Sequence, residues 1–328
     1  MKGDFRVVFI GGAGRTGTNV LRDILSLHPK VASLPFESRI TVDPDGVCHT
    51  LHCLRNSWSP FVSEVCIKRH FEFLEKLRRR NLLDKIAIVI EKAIGQVGVK
   101  CHLRRYKEWE LGEHFPFFEE HMEKLRSDLC LLRYKGVWPG TSPKRVSPVL
   151  AVGYSDNDGH VSCAFGKFLR NLYWGYSSSS NKNLYVDDNT FNAVYSSSLL
   201  DLLPKAKIIN VVRDPRDVVS SYLRQRWTPN DVPQAVRYHK EVVHAWWRSR
   251  SELHSDNYLE VKLEEMVHSP KKSLMKVCDF SGIEFDPNLL SVDLSKHNSG
   301  RWSRDISEEW HGHLNNELDE ILREYDYI

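Results

Sequence analysis

The chain has 328 residues, 41% of them hydrophobic and 27% charged, with a formal charge of +3 and a pI of about 8.4. That length can bury a large core and suits one α/β domain with insertions. The mild charge speaks against bulk nucleic-acid binding and against an acidic solvating role. No apolar run approaches the roughly 20 residues that span a bilayer, so no transmembrane segment is expected, and a first strand that starts by about residue 5 leaves no room for a signal peptide. The expected location is cytoplasmic.

The first predicted element is a strand over Arg6–Ile10, followed by GGAGRTGTNVL (residues 11–21) and a helix over 18–27 whose apolar residues Val20, Leu21, Ile24, Leu25 and Leu27 repeat at helical spacing. A strand, a glycine-rich turn and a helix start favour an anion, because glycine lets the backbone wrap a ligand and the free N–H groups of the helix start point at it. Gly12 and Gly17 have the separation of a Walker loop, yet Thr18-Asn19 stands where that pattern has Lys-Ser/Thr. Arg15 offers a cation beside the Thr16 and Thr18 hydroxyls, enough to hold a phosphate or sulfonate without a metal. The plain alternative is a glycine turn that only reverses the chain.

Next comes CHTLHC (residues 48–53), four residues of metal-ligand type in six. One short segment seldom wraps a tetrahedral ion, so the expectation is a partly buried loop or helix start. The seven cysteines (Cys48, Cys53, Cys66, Cys101, Cys130, Cys163, Cys278) are odd in number and scattered, as reduced thiols are. A helix is predicted over about 61–80, a strand over Val97–Leu103, a helix over 113–126 and a strand over Leu129–Tyr134. Two basic stretches, KLRRRNLLDK (76–85) and HLRRYKEW (102–109), stand out in a middle region that is basic with interleaved aromatics. They read either as a solvated helix face or as an acceptor surface for something anionic or sugar-like, with Trp58, Trp109, Trp138 and Trp174 available for stacking. WPGTSPKRVSP (138–148) and GYSSSSNKN (175–183) read as surface connections or lids.

Further strands are expected at Leu184–Val186, Lys207–Val212 and Tyr258–Leu263, with helices over 192–203, 214–225, 231–252 and 270–281. Apolar strands alternating with helices predict a doubly wound, mostly parallel sheet covered on both faces, a three-layer α/β fold of P-loop-like type. In KAKIINVVRDPRDVVSSYLRQRW (205–227), Arg213 ends a buried strand, Asp214-Pro215 starts a helix and Ser221 lies two turns on. Ligands of open parallel sheets bind at such carboxyl ends, so Arg213 and Ser221 can clamp a second phosphate; an exposed cap with surface ion pairs is the other reading.

Together these stretches resemble the sulfotransferases that use 3′-phosphoadenosine 5′-phosphosulfate (PAPS). GGAGRTGTNVL is similar to their 5′-phosphosulfate loop and VVRDPRDVVSSY to their 3′-phosphate segment; residues 246–287 are similar to the helix, strand and helix that follow, and HNSGRWSRDIS (297–307) to the loop that closes over the cofactor. The motif style is that of bacterial and protein-tyrosine-type members, over residues 5–37 and 184–310, with about 40–180 as the family-variable acceptor side of a single domain spanning 1–328. The resemblance implies that Gly14, Arg15, Thr16, Gly17, Thr18 and Asn19 bind the phosphosulfate, that Arg213 and Ser221 bind the 3′-phosphate, and that Gly300 and Arg301 close over the cofactor with Trp302 nearby. It implies PAPS as donor, 3′,5′-adenosine bisphosphate as product, no metal, and an acceptor with a hydroxyl or amine. Catalysis would need a cation, Arg15, for the charge on the leaving phosphate and a base, Glu37; His102, or Asp187 and Asp188, are the other candidates for the base, and a Glu37–Arg39 pair is the structural alternative. Family members often carry a lysine where this chain has YVDDNT, so Lys100 or Lys182 is expected to supply a cation. Leu263 stands where a tyrosine is common, so adenosine contacts there are expected to differ. A nucleotide-dependent kinase and a non-catalytic adenosine-bisphosphate-binding protein are the alternatives. The oligomeric state is not legible.

Overall fold

The computed structural model describes residues 5–96, 103, 106, 109–138, 149–292, 294 and 299–328. In chain order it contains β1 (Arg6–Gly12), α1 (Thr18–Ser26), β2 (Val31–Ser33), α2 (Val47–Asn56), α3 (Pro60–Arg78), α4 (Leu82–Gln96), α5 (Leu111–His114), α6 (Phe118–Leu129), β3 (Cys130–Lys135), β4 (Val149–Gly153) and α7 (His160–Ser178). Then follow β5 (Leu184–Asp188), α8 (Ser196–Leu202), β6 (Lys207–Val212), α9 (Pro215–Tyr222), α10 (Val232–Ser251), β7 (Tyr258–Lys262), α11 (Leu263–His268), α12 (Pro270–Ser281), α13 (Trp302–Asp305), α14 (His311–Glu317) and α15 (Asp319–Glu324). These elements gather into two compact units, Met1–Glu37 with Asn181–Ile328, and Ser38–Ser180.

The first unit is a five-stranded sheet of order β2-β5-β1-β6-β7 in which every neighbouring pair is parallel. Ile10 of β1 lies opposite Asp188 of β5 and Ile209 of β6, so the carboxyl ends of three strands share one edge. Strands buried on both faces need apolar side chains in both directions, which is why Val7–Ile10 and Ile208–Val211 are continuous buried runs. One cluster joins Val8, Ile10 and Ile209 to Leu21 and Leu25 of α1 and to Leu274 and Val277 of α12. Another joins Val212 to Val218 and Val219 of α9, Val236 of α10, Leu314 of α14 and Ile321 of α15. The fold is therefore the expected three-layer α/β arrangement. Truncating a fully buried side chain such as Ile10 to alanine removes about 2–5 kcal/mol of stability.

Helix starts in this unit follow local chemistry. Asp214 caps α9 by accepting the Arg216 N–H at 2.9 Å, with Pro215 in its first turn, and Asp231 caps α10 by accepting the Gln234 N–H at 3.0 Å. Helix α12 ends on Gly282 at φ 71, a left-handed position where glycine escapes the Cβ clash.

The second unit contains α2–α7 and a separate antiparallel hairpin, with Tyr134 opposite Leu150. Several expectations change here. The strand expected at Leu129–Tyr134 is β3, but it pairs antiparallel with β4 instead of joining the parallel sheet. The helix expected over 113–126 breaks into α5 and α6, because Pro116 drives Phe115 out of the helical region and Phe117 turns left-handed at φ 58. CHTLHC forms the body of α2, and the serine-rich stretch stays helical through Ser178. Helices α4 and α7 were not expected; in α7, Val161, Phe165, Phe168, Leu169 and Leu172 repeat at helical spacing and are buried. Of the strand expected at Val97–Leu103, only Leu103 lies within the described residues, and residues 139–148 lie outside them.

Candidate functional site: an anion cradle at the sheet edge

The turn between β1 and α1 takes its shape from residues free of Cβ or held left-handed: Gly14 at φ 80, Arg15 at φ 60 and Gly17 at φ 100. A Cβ on Gly12 would lie 2.3 Å from Thr16 Oγ1, one on Gly14 2.8 Å from Trp227 Cη2, and one on Gly17 2.8 Å from Leu263 Cδ1. Gly17 caps α1 with no side-chain hydrogen bond, so the first N–H groups of that helix face the turn. Thr16 is buried, and among the described residues its Oγ1 meets no hydrogen-bond partner. A buried hydroxyl left unpaired costs about 1–3 kcal/mol, which an oxyanion at this point would recover.

The second stretch comes directly onto this turn. The Arg15 Nε–H donates to Ser221 Oγ at 3.1 Å, and Arg213 Nη1 donates to the Arg15 carbonyl at 3.2 Å. Tyr222, fully buried, donates its hydroxyl to the Ala13 carbonyl. Two segments about 200 residues apart in sequence thus form one cluster in which Arg15 is bonded to both Arg213 and Ser221. Asn19 and Arg15 stay exposed, while Thr18, the first residue of α1, is buried.

A third segment is tied to the same helix by a residue that the sequence did not single out. The Asp217 carboxylate accepts the Gly300 N–H at 2.7 Å through Oδ2 and the Trp302 N–H at 2.9 Å through Oδ1, and Arg213 Nη2 lies 3.6 Å from Oδ2. Asp217 is buried and links Arg213 to Gly300. The Arg216 guanidinium sits over the Trp302 ring, 4.6 Å from its centroid. Arg301 lies 3.3 Å from Asp305, which also meets Arg224 at 2.8 Å and Ser220 at 3.2 Å.

On the β5 side, Glu37 is half-buried and accepts the Thr190 hydroxyl on Oε1 at 2.9 Å. The two acids of YVDDNT divide their roles. Asp187 accepts both the Asn189 and the Asn192 amide at 3.0 Å and so shapes the loop after β5. Asp188 meets the buried Arg22 of α1 at 3.2 Å. Burial and the neighbouring Glu37 push the Asp188 carboxyl up to about 7, against the pull of Arg22 and the Thr18 hydroxyl. Among the described residues the cation that meets Asp188 is Arg22, one turn into α1; Lys100 lies outside the described residues, as does His102. Arg39 pairs with Asp43 at 3.6 Å.

The sequence put forward Gly14–Asn19, Glu37, Arg213, Ser221, Gly300 and Arg301 as candidates, of which the structure brings Arg15, Arg213 and Ser221 together. It did not put forward Arg22, Thr190, Asp217 or Trp227; at Leu263, where adenosine contacts were expected to differ, the side chain lies against Gly17. Only Asp217 carried a signal, as an acid in the first turn of α9. Among the described residues no three His, Cys, Asp or Glu side chains gather as a metal site, and no helix is long and apolar enough to cross a membrane.

A parallel sheet whose carboxyl edge carries a glycine turn, two arginines and a helix start is an α/β fold of P-loop-like type. The chain belongs to the sulfotransferase family, a family of transferases, whose model matches residues 7–287. No curated protein matches the chain. Similar solved structures include the sulfotransferase domain of the Synechococcus PCC 7002 olefin synthase, 17% identical with 95% of this chain and 86% of that one covered (TM-score 0.41). Another is the sulfotransferase STF9 from Mycobacterium avium, 14% identical over 98% and 77% (TM-score 0.46). A third is a retinol dehydratase in complex with androsterone and the inactive cofactor PAP, 12% identical over 96% and 80% (TM-score 0.34).

Proposed function

We propose that the chain is a PAPS-dependent sulfotransferase that moves a sulfuryl group to a hydroxyl or amine of a carbohydrate, lipid or peptide acceptor by in-line transfer, without a metal. The observation that carries this reading is the bonding of Arg15, Ser221 and Arg213 into one cluster over a lysine-free glycine turn. Gly14, Arg15, Thr16, Gly17, Thr18 and Asn19 would hold the 5′-phosphosulfate, and Arg213 and Ser221 the 3′-phosphate. Gly300 and Arg301 would close over the nucleotide, held in register by Asp217. PAPS supplies an activated sulfuryl group on a phosphate leaving group.

The protein's own share is positioning and proton transfer. Arg15 and the N–H groups of the α1 start set positive potential where negative charge grows on the leaving phosphate. Glu37 takes the acceptor's proton on its carboxylate, whose orientation the Thr190 hydroxyl fixes. Of the other acids, Asp187 is committed to two amides and Asp188 to Arg22 with a side chain closed to solvent, which leaves Glu37 as the half-buried carboxylate. The missing loop lysine weighs against a magnesium-nucleotide kinase.

The test is Glu37→Gln in a PAPS-dependent transfer assay against carbohydrate, lipid and peptide acceptors. Turnover should fall by roughly 100-fold or more, the usual loss for a positioned base, while affinity for 3′,5′-adenosine bisphosphate stays within about twofold. Undiminished turnover would move the base elsewhere; tight bisphosphate binding with no transfer to any acceptor would favour a non-catalytic binding protein.

A further inference from the structure

Helix α4 carries an apolar stripe with no counterpart in the anion site. Leu82, Leu83, Ile86, Val89 and Ile90 are between 42% and 72% exposed. At 100° per residue they fall within an arc of about 120°. The opposite side of the helix is turned inward: Asp84 and Ala87 are buried, Asp84 exchanges hydrogen bonds with Asn81, and Glu91 accepts the Leu103 N–H at 2.6 Å. The two acids of α4 therefore face protein, and its two lysines, Lys85 and Lys92, are exposed along one margin of the stripe. Lysines at the margin of an exposed apolar face keep their ammonium groups in the polar layer while their stems lie on hydrocarbon.

The charge around this helix is one-sided. Residues 76–96 hold six Lys and Arg against Asp84 and Glu91, in a chain whose total is only +3. Arg78 and Arg80 are tied to Glu119 and Glu110, but Arg79 keeps a side chain 68% exposed beside its contact with Glu75. An exposed apolar stripe, a lysine margin and a basic surround are the attributes of a helix lying in the headgroup plane of an anionic bilayer. A second copy of the chain would bring the same positive region against itself, so the charge favours a lipid surface over self-association.

We propose that α4 is a membrane-surface helix that docks the protein on anionic lipid, with its apolar stripe in the headgroup–acyl boundary and its lysines at the phosphates. The interaction is independent of the donor nucleotide, so its success or failure leaves the anion site untouched.

The experiment is co-sedimentation of the full chain with phosphatidylcholine vesicles containing about 30% phosphatidylserine, and with pure phosphatidylcholine vesicles. Binding is expected to the anionic vesicles alone and to weaken as salt is raised. Ile86→Gln/Val89→Gln/Ile90→Gln should lower the partition constant by roughly 30-fold, because three partly exposed apolar side chains no longer enter the boundary. Lys85→Glu/Lys92→Glu should lower it at least about tenfold. Thermal unfolding and bisphosphate affinity should stay unchanged in both, since these side chains are exposed. No binding to anionic vesicles overturns the proposal. So does full binding by the triple variant, which would mark a purely ionic surface, and so does a wild-type dimer that the triple variant dissociates, which would make a second copy the occupant.

Discussion

The unit built from residues 1–37 and 181–328 and the unit built from residues 38–180 spend their polar groups differently. In the first, Thr16, Arg22, Asp188, Asp217 and Ser221 are buried and converge on one sheet edge, where unsatisfied or mutually bonded groups are poised for an anion. In the second, polar groups hold secondary structure together: Asp156 accepts Arg55 at 3.1 Å and the Ser162 N–H at 2.9 Å, and His70 donates to the Asp45 carbonyl at 2.7 Å. A convergent polar edge reads as a binding site, and a dispersed set reads as fastening. On the proposed function, the donor nucleotide belongs to the first unit.

The strongest way to break it is with Arg15→Ala and Arg213→Ala. Loss of a charge-assisted contact to a phosphate is worth about 1.5–3 kcal/mol, so each should weaken 3′,5′-adenosine bisphosphate binding about 10- to 100-fold by calorimetry. Arg69→Ala, which removes an ion pair to Asp45 in the second unit, should leave that affinity within about twofold. Equal losses from all three would erase the distinction between the units.

A smaller effect sharpens the role of Asp217. Asp217→Asn keeps the shape but weakens the hold on the Gly300 and Trp302 N–H groups and on Arg213. Bisphosphate affinity should fall several-fold, about 1 kcal/mol as neutral replaces charged hydrogen bonding, and limited proteolysis near residue 300 should accelerate. Protection identical to wild type would mean that the segment is held by Trp302 packing on Arg216 instead.

A separate test concerns acid stability in the second unit. Burial pushes the His70 imidazole down from 6.5 to about 4, against the pull of its bond to the Asp45 carbonyl. Folded His70 binds fewer protons than the unfolded chain below 6.5, so its share of stability is complete above that pH and lost as pH falls towards about 4. His70→Gln should flatten the fall in Tm across that window; an unchanged slope would place the acid sensitivity in other groups. His239 of the first unit, pushed by burial to about 3, shifts in the same direction.

How much of this was legible follows from what is local. The glycine turn, the helix behind it and the Asp-Pro start of α9 depend on backbone conformation and capping within a few residues, so the sequence carries them. The meeting of Arg15 with Ser221, and of Asp217 with Gly300, depends on which strand ends share an edge; the resemblance to a family supplied the first and nothing supplied the second. Arg22 was missed because a cation at the second turn of a helix looks like a surface residue until Asp188 is placed beside it. In residues 38–180 the expectation of a parallel sheet failed at β3, whose pairing is set by β4 and not by its own apolar pattern.

The central claim is that the turn after β1 holds a phosphosulfate nucleotide, and its most direct test is calorimetric titration of the purified protein with 3′,5′-adenosine bisphosphate and, separately, with ATP and magnesium. Tight binding of the bisphosphate and weak binding of magnesium-ATP is the predicted result. Preference for magnesium-ATP would contradict the account and make the turn a lysine-free phosphate site of another kind.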